Sequence, residues 1–95
     1  MNKSLHTLNT SPADQHTFNL CIEALSTSDE LLLIEDGVYF AMPIHRAKIP
    51  ANINLYALHI DLEARGVKAD NTVKVINDAE FVNLSLRCQR VVSWF

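Results

Sequence analysis

Residues 30–41 read ELLLIEDGVYFA, an unbroken apolar run from Leu31 to Ile34 that ends on two adjacent acids, Glu35 and Asp36, and a glycine. A strand exposed on one face alternates apolar and polar residues, whereas this run does not, so it predicts a strand covered on both faces in the middle of a parallel sheet. NLYAL, residues 54–58, reads the same way. In an open parallel sheet, ligands gather outside the carboxyl ends of the strands. Glu35 and Asp36 therefore stand where chemistry would be placed. A general acid–base pair needs two carboxylates aimed at one substrate, and neighbours leaving a strand point in different directions. The pattern instead predicts that Asp36-Gly37 makes the turn and caps a helical start at VYFAM.

On either side the chain alternates strands with helices. LHTLN, residues 5–9, predicts a short half-apolar first strand. In TSPADQ, Ser11, Pro12 and Asp14 fit the N-cap, N1 and N3 positions of a helix. Phe18, Cys21, Ile22 and Leu25 then fall on one helical face, suited to lying on a sheet, before the polar loop STSD. Asp61 fits the cap of a short turn LEARG that Gly66 would close in a left-handed conformation. VKVI, residues 73–76, predicts another strand, and Asn77 with Glu80 forms a capping box ahead of a helix whose Phe81, Leu84 and Cys88 share one face. VVSWF reads as the last strand, with its apolar end in the core. The irregular stretch is PIHRAKIPAN, residues 43–52, too polar in its middle for core. The expected fold is α/β: one domain over residues 1–95, with a mainly parallel sheet of about five strands flanked by helices in flavodoxin-like layering.

Composition narrows the function classes. Hydrophobic residues make up 48% of the 95, enough for one core. A domain of this size buries only about 60–65% of the surface its unfolded chain exposes, so oligomerisation is expected. Eleven acids against eight bases give a net charge of −3 with no basic block, which does not favour direct nucleic-acid binding. Lys3 is followed by polar residues rather than a leader-like apolar stretch, and no apolar run approaches the roughly 20 residues of a membrane span; the expectation is a cytoplasmic protein. Gly37 and Gly66 are the only glycines, so no glycine-rich phosphate cradle follows a strand and no nucleotide cofactor is expected.

The remaining reactive side chains are sparse. Cys21 and Cys88 lie far apart without metal-ligand spacing, and each shares a face with core residues, which favours inert core thiols over an exposed, electropositive nucleophile. His6, His16, His45 and His59 are scattered, with no third ligand evident for a metal. His6 and His59 could meet if their strands were neighbours, and with Asp36 they would form a small-ligand site at the strand ends. His45 reads as solvated, in a modest anion-attracting patch with Arg46 and Lys48.

LHTLNTSP, DELLLIEDGVYFA, LYALHIDLEARGV and DAEFVNLSLRCQRVVSW occur in this order along almost the whole chain, and in them the sequence resembles the TusB/DsrH family. The resemblance implies a DsrE-like subunit that is not catalytic alone and joins TusC-like and TusD-like partners as a dimer of heterotrimers. In the TusB branch such complexes pass persulfide sulfur toward 2-thiolation of the tRNA wobble uridine; in the DsrH branch they serve sulfur oxidation. It also implies that the relay cysteine of the catalytic subunit would align near Leu58 and His59, where this chain has no thiol. DsrH-like members can carry a cysteine where Cys21 stands, so an active persulfide carrier using Cys21 is the alternative.

Overall fold

The computed structural model describes residues 3–95. In chain order the elements are β1 (Ser4–Leu8), α1 (Gln15–Ala24), β2 (Glu30–Leu33), a 3-10 helix (Glu35–Ala41), α2 (Pro43–Arg46), β3 (Asn54–Leu58), α3 (His59–Arg65), β4 (Lys74–Ile76), α4 (Asp78–Arg87) and β5 (Arg90–Trp94). The strands form one parallel sheet in the order β4-β3-β2-β1-β5. β2 is central, and Leu31, Leu32 and Leu33 are all fully buried. Each contributes roughly 1.5–3 kcal/mol relative to exposure.

Successive residues of β2 supply opposite faces of the sheet. Leu31 and Leu33 join Phe18, Cys21, Val38, Phe40 and Leu62 in the larger cluster, formed with α1, the 3-10 helix and α3. The Phe18 and Phe40 rings stack there at 4.4 Å. Leu32 joins Leu5, Tyr56, Leu58, Ile76, Leu84 and Cys88 on the other face, which α4 covers. The layering follows from the strand order. The chain steps outward three times from β1 to β4, then α4 returns it across the sheet to β5.

Several local expectations are corrected. The first helix is capped by Asp14, whose carboxylate accepts the Thr17 N–H at 3.0 Å, while Ser11 and Pro12 form a preceding turn. A carboxylate three residues before that amide takes the capping role, and Ser11 Oγ accepts the Ala13 N–H instead. α3 begins at His59, so Asp61 lies in its first turn and caps nothing. Asp36 does not cap VYFAM either, because the 3-10 helix already starts at Glu35 and has no side-chain cap. Gly37 has an ordinary φ, and its need for glycine is steric: a Cβ there would lie 2.0 Å from the Leu8 carbonyl oxygen. Residues 43–52 include α2 and bury Ile49, and Phe95 is 83% exposed rather than core. β1, half-apolar in composition, is buried along its whole length.

Candidate functional site

The carboxyl end of the sheet gathers Asn9 after β1, Glu35 and Asp36 after β2, and Asp61 and Arg65 of α3 after β3. Glu35 has φ 49°, a left-handed conformation that costs a residue with a side chain roughly 1–2 kcal/mol. Two contacts hold it there: its N–H donates to Asp61 Oδ2 at 2.8 Å, and Asn9 Nδ2 donates to its carboxylate at 3.3 Å. Arg65 Nε donates to Asp36 Oδ1 at 2.9 Å, and its Nη1 lies 3.6 Å from Asp61 Oδ1. That hydrogen bond to Asp36, then the charges of Asp36 and Asp61, push the Arg65 guanidinium above its usual range. The paired acids thus brace the β2 and β3 connections against each other. Beside them, Asn9 Oδ1 and Thr10 Oγ1 are buried without a hydrogen-bond partner.

The amino end of the sheet carries a second polar group of residues that sequence reasoning missed. Asp29 and Glu30, directly before and at the start of β2, are 5% and 1% exposed. Asp29 accepts from the backbone N–H of Ser4 at 3.0 Å and of Ser26 at 3.1 Å, and its Oδ2 is 3.0 Å from His6 Nε2. Burial pushes the Asp29 carboxyl up, but the hydrogen bonds from Ser26, Ser4 and His6 outweigh it and hold the group below the usual carboxylate range. Trp94 Nε1 donates to His6 Nδ1 at 3.0 Å. Indole can only donate, so Nδ1 is the acceptor in that bond and Nε2 is the nitrogen that faces Asp29.

Glu30 accepts from the Tyr56 hydroxyl at 2.5 Å and from Cys88 Sγ at 3.5 Å, with Lys3 Nζ at 3.9 Å. Burial, then the Glu30 carboxylate, raises both the Tyr56 phenol and the Cys88 thiol. The only sequence signal for these contacts was Asp29 closing the polar loop STSD and Glu30 opening the strand ELLLI, and neither position marks a buried acid by itself.

The structure separates the predicted small-ligand trio. β2 lies between β1 and β3, so His6 is bound to Asp29 and Trp94 while His59 pairs with Glu63 at 3.2 Å and Asp36 with Arg65. His45 is half-buried rather than solvated. It stands edge-on to Phe40 at 6.0 Å with Lys48 Nζ 3.1 Å from Nδ1, and burial, then the Lys48 charge, lowers its pKa. Arg46 turns away to Thr72 Oγ1 and the Ile49 carbonyl, so the three bases do not form an open anion patch. Among the described residues no three His, Cys, Asp or Glu side chains cluster as metal ligands, and no helix is long and apolar enough to cross a membrane. Cys21 is fully buried on α1, where burial pushes its thiol up to about 12. Leu58 and His59 close β3 and open α3.

Known proteins match this chain over its length. The family described as DsrH-like protein matches residues 10–91. The protein TusB of Erwinia tasmaniensis is 36% identical, with 95% of this chain and 99% of the relative covered. This chain belongs to the TusB/DsrH family. TusB of Escherichia coli K12 is 37% identical and that of Pectobacterium atrosepticum 38%, at the same coverage. The crystal structure of the ychN protein from E. coli superposes with a TM-score of 0.80 over 99% of this chain and 100% of that one. At 13% identity it shows the fold alone, the α/β layering that this TusB/DsrH chain shares with it.

Proposed function

We propose that this protein is a non-catalytic subunit of a sulfur-relay complex, assembled with TusC-like and TusD-like partners, that supports 2-thiolation of the tRNA wobble uridine. Full-length membership in the TusB/DsrH family carries the reading, and the relatives named above, all TusB proteins, favour the tRNA branch over sulfur oxidation. The non-catalytic role is supported by the occupants of the β3 carboxyl end, Leu58 and His59, which are where the resemblance places a relay cysteine. The two cysteines that the chain does have are buried, with thiols raised by burial. A persulfide carrier needs a thiolate within reach of its donor, and both sites disfavour the thiolate. The chain in this reading shapes the assembly, and its partners hold the sulfur.

Deleting the gene and measuring 2-thiouridine in bulk tRNA tests this. Thiolation is expected to fall, and to be restored by the wild-type chain and equally by Cys21→Ser. Normal thiolation in the deletion strain would refute the function. A Cys21→Ser protein that assembles with its partners but fails to restore thiolation would make Cys21 the carrier.

A further inference from the structure

Between the edge strand β4 and the flank of α4 opens a cleft of about 560 Å³. Its floor is Tyr56, Ile76 and Leu84, all more than nine-tenths buried. Alternate residues of a strand face the same side, so Lys74 joins Ile76 there, directly opposite Tyr56 in register. Lys74 Nζ stands 5.8 Å from the centroid of the Tyr56 ring, in reach of a cation–π contact. Asn83 and Arg87, about one helical turn apart on α4, form the facing wall. Burial and then Glu30 raise the pKa of the Tyr56 phenol, and the Arg87 guanidinium works against both, which places it beside the hydroxyl. The phenol donates its proton to Glu30, so the ring that carries both cations is held in place.

These two cations differ from the others in having no acid of their own. Arg46, Arg65 and Arg90 each donate through Nε to a side-chain oxygen of the protein. Neither Lys74 nor Arg87 forms an ion pair among the described residues. The one carboxylate that lines the cleft, Glu80, accepts the Asn77 N–H at 2.9 Å in the capping box of α4. Two cations against one acid leave a surplus of one positive charge on the walls. The matching guest is a monoanion. A guanidinium fork fits a carboxylate through two parallel hydrogen bonds, and an ammonium on a flexible stem supplies a further donor. An apolar floor below a few convergent polar groups, in a volume within the roughly 300–1,000 Å³ of small-molecule sites, suits a compact organic ligand.

We propose that the cleft between β4 and α4 binds a small organic monocarboxylate, its carboxylate held between Lys74 and Arg87 and its apolar body resting on Ile76 and Leu84. The site lies within one chain and needs no other subunit, so it stands or falls independently of the sulfur-relay reading.

Titration of the isotope-labelled full-length chain with benzoate and with isovalerate, followed by NMR, tests it. At least one of the two acids is expected to give saturable shifts at Lys74, Asn83 and the Arg87 Nε–H, with a Kd of about 1 mM or below. Benzamide, which has the shape of benzoate without its charge, and inorganic phosphate, which has charge without an apolar body, should each bind about tenfold more weakly or worse. Lys74→Met and Arg87→Met, both at exposed positions, should keep the dispersed wild-type spectrum and weaken binding about fivefold or more; Lys68→Met, which removes the same charge elsewhere on the surface, should leave it unchanged. No saturable shift from either acid up to about 20 mM would overturn the proposal. So would benzamide or phosphate binding as tightly as the acids, or Lys68→Met weakening binding as much as Arg87→Met. Protection of Lys74 and Arg87 only on adding TusC-like or TusD-like subunits, with no response to the free acids, would assign the cleft to a protein partner and refute it equally.

Discussion

The two ends of the sheet use charge in opposite ways. At the carboxyl end, Asp36, Asp61 and Arg65 pair at the surface, where water screens them and each pair contributes little. At the amino end, Asp29 and Glu30 are buried, and every hydrogen bond they accept replaces one lost to water. The surface pairs position two loops that the core already holds in place. The buried acids tie together segments far apart in sequence: Asp29 fastens the start of β1 and the loop after α1, and Glu30 joins β3 to the end of α4. The end at which this fold usually does its chemistry is thus the less constrained one, and the opposite end carries the cross-links of the scaffold. That arrangement is in keeping with the non-catalytic role proposed above.

The largest expected effect of a single change lies at the amino end. Asp29→Ala leaves the Ser4 and Ser26 amides and the His6 ring without their acceptor, and should cost about 3–5 kcal/mol in urea unfolding. A cost below that of surface substitutions would erase the distinction between the two ends. Acid titration isolates the charge. The folded Asp29 carboxyl ionises below its unfolded value, so its contribution is complete above about pH 5 and is lost as pH falls through the lowered folded pKa. Wild-type stability should therefore decline more steeply below about pH 4 than that of Asp29→Asn.

Next comes Gly37→Ala, at the carboxyl end. A methyl group 2.0 Å from the Leu8 carbonyl forces the 3-10 helix away from β1, at a cost of roughly 1–3 kcal/mol or more. If thermal melting is unchanged, close backbone approach does not govern that end. Tyr56→Phe removes one donor from Glu30 but leaves Cys88 and Lys3 beside it, and about 1–2 kcal/mol is expected from the same unfolding measurement. Arg65→Ala should cost least, and the cost should shrink in high salt. A loss as large as that of Asp29→Ala would mean that the two ends are held by the same kind of interaction.

The alternation of apolar runs with capped helices was legible in the sequence, because strand burial and helix periodicity are set by neighbours a few residues apart. ELLLI as the central strand, the Asn77–Glu80 capping box and the left-handed Gly66 all occur as their local patterns predict. The family was legible as well, since its motifs run in order along the chain. The partners of Asp29, Glu30 and His6 were not legible. Apart from the Ser26 amide, those contacts span 23 to 88 residues and exist only once β1, β2, β3 and β5 lie side by side.

Gly37 shows the same limit at close range. Its sequence context suggested a turn, yet the constraint on it is a carbonyl from a neighbouring strand. The order of residues set which segments become strands and helices and which faces are apolar, through short-range backbone preference and hydrophobic period. Which buried acids found donors, which histidines were kept apart and which cations came to line one cleft depended on strand order and register. Those are properties of the assembled sheet, where residues distant in the chain compete for the same few hydrogen bonds and the same space.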